Sequence, residues 1–131
     1  MQNDETQRLL NALAQALAED VDYPLDNTLL YAEVADDMAS PSIFKNLSNH
    51  ILYRNPDLDA FCYTLWDLWL EQPEGRRWAF IEYLVKDGKF DAVFVYPDEL
   101  DPEEDSMDRR TRIVRRYFGE KPIVYPQLGE E

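Results

Sequence analysis

Cysteine, histidine and glycine are scarce in this chain. Its 131 residues include one cysteine (Cys62), one histidine (His50) and four glycines. A single thiol excludes a disulfide framework and favours a reducing compartment. The sequence also lacks a glycine-rich phosphate loop, a G-x-S-x-G motif and an H-E-x-x-H motif, each of which marks a known type of catalytic site. We therefore predict no enzymatic activity, no cofactor and no metal site.

Basic residues are also few. Lysine and arginine number 13 against 27 acidic residues, which gives a formal net charge of −14 at pH 7. Nucleic acids and anionic lipids attract proteins with a basic surface, so this balance argues against both as partners. It favours solubility and a basic protein partner.

Long apolar runs are missing as well. No stretch approaches the ~20 residues that a helix needs to cross a bilayer. Residues 1–5 are polar and acidic, whereas a secretory signal starts basic and continues apolar. We expect a soluble cytoplasmic protein. The hydrophobic fraction of 45% excludes disorder of the whole chain, and the length suits a single domain over 1–131.

Hydrophobic spacing and turn residues predict the first half of the fold. The predicted segments are a helix over 4–20, a turn that ends at 28, strands at 29–35, 43–44 and 51–53, and a helix that ends near 72. Asn55 as N-cap and Pro56 at the first helical position mark the start of this second helix.

The strongest local signal is a hairpin over 77–96. Two β-rich runs flank Asp87 and Gly88, a pair that suits a type I′ turn because both central residues need positive φ. Both runs are apolar at nearly every position. This pattern predicts two central strands with at least one face covered by helices or by a partner.

A last helix is predicted over 107–118, with Ser106 as its cap and Gly119 after its end, followed by an extended tail over 122–131. The whole order indicates an α+β domain with a mostly antiparallel sheet of about four strands, packed with three helices. Residues 1–28 form its N-terminal helix and turn.

Charge is concentrated in two neighbouring segments. Residues 98–108 hold seven acidic side chains and no basic one, whereas residues 109–121 hold six basic residues and one acidic residue. The acidic run lacks the D-x-[DN]-x-[DN]-G pattern of calcium loops, so we interpret it as a solvated loop or as a contact for a basic partner. If the two segments neutralise each other, residues 1–60, with 11 acids and three bases, become the better partner-facing surface.

The last helix places Arg109, Arg112 and Arg116 within one stripe of about 60°, opposite an apolar arc. Such a stripe suits phosphate groups or the chain's own acidic residues, and the net charge favours the second. Arg110 projects toward the apolar arc, where we expect it to snorkel or to pair with a carboxylate.

Two features of the second helix leave alternatives open. Cys62 falls on its apolar arc and is interpreted as a buried structural residue, but a nucleophile–base pair with His50 stays open because such partners need not be close in sequence. Tyr63 and Leu70 lie on the far side of the helix, with Trp66 beside them. They either pack on another helix or form exposed anchors for a protein partner.

Residues 76–126 contain a set of strand, turn and cap motifs that occur together in one known family. They are Arg77-Trp78, Asp87-Gly88-Lys89-Phe90, Phe94-Val95-Tyr96-Pro97-Asp98, Arg109-Arg110, Tyr117-Phe118-Gly119 and Tyr125-Pro126. With them the chain resembles the YezG-type immunity proteins of bacterial polymorphic toxin systems. The resemblance implies an α+β fold, no enzymatic activity, and tight cytoplasmic binding of a cognate toxin that is often a nuclease. Because the motifs are structural, the resemblance identifies no contact residue.

Charge and helical spacing alone select a hypothetical contact set for the toxin. Its members are acidic or aromatic: Asp98, Glu99, Asp101, Glu103, Glu104, Asp105, Asp36, Asp37, Tyr63 and Trp66. We expect a monomer in a 1:1 complex that covers the toxin's basic active-site region or an adjacent exosite. An acidic secretion chaperone, which would normally be a dimer, and a small enzyme are the two alternatives.

Overall fold

One sheet organises the fold. The computed structural model describes residues 4–126 and contains, within them, the strands β1 Thr28–Ala35, β2 Met38–Asn46, β3 Ile51–Arg54, β4 Phe80–Lys86, β5 Lys89–Val95 and β6 Ile123–Val124. They pair in the order β5-β4-β1-β2-β3-β6. All neighbours are antiparallel except β3 and β6, which are parallel. The α+β class is confirmed, whereas the predicted number of about four strands was too low.

Helices cover both faces of this sheet. Within the same residues they are α1 Asp4–Ala18, α2 Leu58–Leu70 and α3 Ser106–Phe118, three as predicted. On one face, Leu30 of β1 shares a buried cluster with Leu13 of α1 and Leu65 of α2. On the other face, Leu29 shares a cluster with Val114 of α3. Successive side chains of a strand point to opposite faces, so β1 contributes to both clusters.

The predicted hairpin is present as β4 and β5. Asp87 has a φ of 57° and Gly88 a φ of 75°, as a type I′ turn requires. The prediction that both strands are central is wrong for β5, which lies at an edge of the sheet in the described part of the chain. Phe90 and Phe94 pack against the α1–α2 cluster on one face, and Val95 packs against the cluster of Tyr31, Phe80 and Ile113 on the other.

β2 is much longer than the predicted pieces around residue 43. It begins at Met38 and contains Pro41, which pairs in register with Ala32 of β1. Proline cannot donate to a strand ladder, which is why the sequence around it does not look like a strand. It is tolerated because β3 pairs with β2 only from Ile43 onward, so β2 is locally an edge at Pro41.

The second helix starts later than predicted. Asn55 and Pro56 precede it, and Asp57 is the N-cap, with its carboxylate accepting from the backbone N–H of Asp59 at 3.1 Å. Asp and Asn cap about equally well, and the aspartate lies next to the apolar run. α2 ends at Leu70 and α1 at Ala18, each two residues before its predicted end.

α3 begins at Ser106 because Asp105, and not Ser106, is its N-cap. It ends before Gly119, whose φ of 89° confirms the predicted glycine position. The chain then runs extended into β6, while residues 127–131 of the predicted tail lie outside the described residues. None of the helices in residues 4–126 is both long and apolar enough to span a bilayer.

Candidate protein-binding surface

Three of the five arginines of α3, Arg109, Arg112 and Arg116, form ion pairs within the described residues. Arg109 is 8% exposed, so its predicted place on the outer face is wrong. Its Nη2 lies 3.2 Å from an Oε of Glu33, and its Nε donates to the Tyr31 hydroxyl at 3.2 Å. The prediction that these arginines pair with the chain's own acidic residues is confirmed for Arg109, Arg112 and Arg116.

Glu82 is the second acid that the helix neutralises. It is 3% exposed, at the centre of β4 and in register with Tyr31. It accepts from Arg116 and, at 2.6 Å, from the Tyr117 hydroxyl. Burial raises the pKa of Tyr117 to about 12, and the neighbouring Glu82 adds to the effect of burial. A buried carboxylate with two donors of this kind stabilises the contact between sheet and helix.

Of the two expectations for Arg110, snorkelling or pairing with a carboxylate, the second is not met within residues 4–126. Its guanidinium lies 5.4 Å from the ring centroid of Phe44, 5.6 Å from that of Tyr53 and 5.9 Å from that of Tyr125. Nη1 also donates to the Ser42 hydroxyl at 2.8 Å. Aromatic faces stabilise a cation through their quadrupoles, so the rings replace the predicted acid.

The acidic segment 98–108 keeps most of its charge. One ion pair joins it to the α3 arginines in the described residues, between Glu104 and Arg112 at 2.7 Å. The other six acids of the segment have no ion-pair partner among residues 4–126. The loop and the helix therefore do not neutralise each other.

Backbone N–H groups hold this segment in place. Glu99 accepts from the N–H of Tyr96 at 2.9 Å, and Asp101 accepts from that of Glu103 at 2.9 Å. Asp105 caps α3 by accepting from the N–H of Asp108 at 2.9 Å. These bonds order the carboxylates but add no positive charge beside them, so the segment presents a fixed acidic surface.

A larger share of the acidic residues in the first 60 positions forms ion pairs than in residues 98–108. Arg54 pairs with Asp20 at 2.8 Å and with Asp22 at 3.2 Å, while Glu33 and Glu5 have arginine partners as well. Four of the 11 acids there are thus in ion pairs, against one of seven in residues 98–108. This difference favours the acidic segment as the partner-facing field.

A groove brings part of the predicted contact set together. Asp36, from the turn between β1 and β2, lines it with Asp98 and Glu99, which follow β5. The groove has a volume of about 1030 Å³, and its walls include Trp69 and Tyr96. Two acidic regions that are about 60 residues apart in sequence therefore meet at one rim. We call Asp36, Asp37, Asp98, Glu99, Asp101 and Glu103 the acidic rim.

Sequence reasoning missed the walls of this groove. Arg77 lies with its guanidinium 4.7 Å from the ring centroid of Trp69, and its Nε donates to the Gln72 carbonyl at 3.0 Å. The exposed Arg76 is next to it. A pattern in the sequence could not have found this site, because three separate segments, Asp36, 69–77 and 96–99, build it. Arg76 and Arg77 place two positive charges in the same groove as Asp36, Asp98 and Glu99.

The two predicted aromatic contacts of α2 differ in exposure. Tyr63 is 67% exposed, and Leu70, one heptad later, is 54% exposed. Trp66 is half-buried, and its indole N–H donates to the Ala35 carbonyl at 3.2 Å. This bond fixes Trp66 beside the Asp36–Asp37 turn, while Tyr63 and Leu70 form an exposed apolar stripe.

Cys62 and His50 do not meet. The Cys62 thiol lies 3.6 Å from the Ala39 carbonyl near the start of β2, whereas His50 follows the end of that strand. Asn46 is the seventh residue after Ala39 in the strand, so the two are about 23 Å apart at a rise of about 3.3 Å per residue. Burial, more than the nearby Asp59, raises the pKa of the Cys62 thiol, which makes it a poorer nucleophile.

A second cavity, of about 370 Å³, lies between α1 and the start of α2. Lys45 is buried there, and its Nζ donates to the Thr28 hydroxyl at 2.9 Å and to the Pro24 carbonyl at 3.0 Å. Burial lowers the pKa of this amine, opposed by the charge of Asp20. The Lys45 ammonium thus has two acceptors inside the protein.

No group of three or more histidine, cysteine, aspartate or glutamate side chains in residues 4–126 is arranged to hold a metal ion. Within these residues the candidate surface consists of the acidic rim and the exposed stripe of α2. The resemblance of residues 76–126 to YezG-type proteins stays a prediction, because no protein-family model and no curated protein matches the chain.

Proposed function

We propose that this protein is an immunity protein that binds a cognate bacterial toxin with a basic surface, a nuclease, in the cytoplasm and blocks it. The observation that carries the proposal is the uncompensated charge of residues 98–108, where six of seven acids lack an ion-pair partner in the described chain. A nuclease must present a basic, phosphate-binding surface, and a fixed acidic surface is complementary to it.

The position of the acidic residues supports a contact between the acidic rim and the toxin. Asp36, Asp98 and Glu99 line one groove, and the backbone bonds of Glu99 and Asp101 keep the loop ordered before binding. An ordered surface loses less conformational entropy on association than a mobile one. Complementary charge raises association rates to as much as roughly 10⁸–10⁹ M⁻¹s⁻¹ at low salt, which suits an inhibitor that must act before its target does.

The apolar stripe of α2 supports a second part of the contact. Tyr63 and Leu70 are exposed by more than half, and Trp66 links the stripe to the turn that holds Asp36. Aromatic side chains at the centre of an interface carry much of its binding energy. We assign attraction and orientation to the acidic rim, and anchoring to Tyr63 and Leu70.

The proposed mechanism is stoichiometric occlusion. One chain covers the toxin's active site or a neighbouring exosite, and no bond is made or broken. Residues Asp101, Glu103, Glu104 and Asp105 extend the contact from the groove toward α3, with Glu104 already engaged by Arg112.

Co-expression tests this function. The gene next to the one for this protein is expected to encode the toxin, and cells that produce its toxic domain should survive only when this protein is present. The purified pair should form a complex that holds one toxin for each copy of this chain. A toxin that kills equally with and without this protein, or that fails to bind it, would refute the proposal.

The same experiment separates the proposed function from secretion chaperoning. A chaperone would bind an extended segment of its effector and leave the folded toxic domain active. Protection by binding to the isolated toxic domain is therefore expected only of an immunity protein.

A further inference from the structure

The outer edge of β5 has no partner strand in residues 4–126, and we propose that it pairs antiparallel with β5 of a second copy of this chain. The resulting dimer would contain one continuous sheet of 12 strands, six from each copy. This inference is argued from the sheet edge and does not rest on the proposed function, but both involve Asp98 and Glu99. It replaces the expectation of a monomer.

Backbone geometry shows which groups are free for pairing. The Val95 carbonyl accepts from the N–H of Ala79 at 2.7 Å, so Val95 directs its backbone toward β4. Alternate residues of an antiparallel strand direct their backbone groups to the same side. Phe90, Ala92 and Phe94 therefore point three N–H and three C=O groups away from β4. A second strand would satisfy all six.

The opposite edge of the sheet is closed to such pairing. β6 has only two residues, Ile123 and Val124, and prolines occupy positions 122 and 126 on either side of it. Short strands and prolines are the usual means by which proteins block an edge. β5 has seven residues and no proline, so it is the one long open edge in the described part of the chain.

Charge selects a second copy as the occupant. Lys86 and Lys89 are cross-strand neighbours at the hairpin end of β5, and neither forms an ion pair within residues 4–126. At the other end, Asp98 and Glu99 follow the strand. Antiparallel pairing brings the hairpin end of one copy to the acidic end of the other, at both ends of the interface. The lysines of each copy thus lie near the acidic residues of the other copy.

The register follows from the same residues. With Ala92 opposite the partner's Ala92, Lys89 lies opposite the partner's Val95, close to the partner's Asp98. In the neighbouring register, Asp91 instead of Ala92 would lie opposite its own copy in the partner. Like charges directly opposite each other destabilise a strand pair. In the first register, the outward N–H and C=O groups of Phe90, Ala92 and Phe94 face those of the same residues in the partner, so all of them can form hydrogen bonds.

Solution mass gives the first test. Sedimentation equilibrium of the full chain should give about 31 kDa, twice the 15.5 kDa of one copy. Ala92→Pro should shift the mass to 15.5 kDa, because proline removes an outward N–H and leaves the bonds to β4 in place. A wild-type mass of 15.5 kDa at high concentration, or a dimer unaffected by Ala92→Pro, would overturn the inference.

Charge exchange gives a test that does not depend on how Ala92→Pro folds. Lys86→Glu with Lys89→Glu in one chain, and Asp98→Lys in another, should each weaken the homodimer by roughly tenfold or more at low salt. Mixing the two variants should restore the dimer, because each then meets the opposite charge at both ends of the interface. Failure of the mixture to associate better than either variant alone would contradict the proposed register.

Discussion

Arg112 donates from Nε to an Oε of Glu104 across 2.7 Å, and this is the single ion pair between the acidic segment 98–108 and α3 in the described chain. The neighbouring arginines form ion pairs with acids of the sheet instead, Arg109 with Glu33 and Arg116 with Glu82. The basic stripe is therefore neutralised by acids of the sheet, and the acidic loop beside it is not neutralised by the stripe. The proposed function rests on this separation of charge.

The buried and exposed arginine pairs of α3 should differ in their contribution to stability. Arg109→Gln leaves Glu33 and Tyr31 without their charged partner, and we expect it to lower the free energy of unfolding by about 2–4 kcal/mol. Arg112→Gln, on the same helix, breaks a pair whose arginine side chain is 55% exposed, and it should cost less than about 1 kcal/mol. Denaturation in urea measures both. Equal losses would contradict the difference in burial.

Alkaline pH should destabilise the fold through buried tyrosines. Burial raises the pKa of Tyr117 to about 12 and raises those of Tyr31 and Tyr83 further. An unfolded tyrosine has a pKa near 10. A pKa that is higher in the folded state gives stability that is present below about pH 10 and is lost as the pH rises toward 12.

The free energy of unfolding, measured from about pH 9 to pH 11.5, should therefore fall. Tyr117→Phe removes one of the three groups, so its stability should fall less steeply over this range, although it is lower at the start because Glu82 loses a donor. A wild-type profile that is flat up to pH 11.5 would show that these hydroxyls ionise as freely in the folded state as in the unfolded state.

Cys62→Ala and His50→Ala should leave protection against the toxin unchanged. The Cys62 thiol lies near the start of β2, whereas His50 follows the end of that strand, and the raised pKa of the thiol keeps it protonated at neutral pH. Cell survival on co-expression with the toxin measures the effect, and circular dichroism checks that each variant is folded. Loss of protection in a folded variant would indicate catalysis and contradict a function by binding alone.

Local signals in the sequence predicted the elements that local chemistry determines. Asp87 and Gly88 specify the hairpin because few residues accept positive φ, and Gly119 specifies the end of α3 for the same reason. Signals that compete within a few residues misplaced boundaries. Asp57 replaced Asn55 as the cap of α2, and Pro41 concealed the first half of β2.

Contacts between distant segments could not be predicted. The partners of Arg109 and Arg116 on the sheet are 76 and 34 residues away from them. Nothing in the spacing of the arginines identifies Glu33 or Glu82. The groove has the same origin, since Asp36 reaches Asp98 only through the order of the strands. Composition predicted an acidic surface, and only the fold determines which acids remain unpaired.

The most direct test of the central claim is the association rate with the toxin for two charge-matched variants. Asp36→Asn with Glu103→Gln removes two charges from the acidic rim, and Glu19→Gln with Glu120→Gln removes two exposed charges elsewhere. Both variants therefore have the same net charge. At low salt the first should associate roughly five- to tenfold more slowly than wild type, the second nearly as fast, and high salt should abolish the difference. Equal rates for the two variants would contradict the assignment of the toxin-binding surface to the acidic rim.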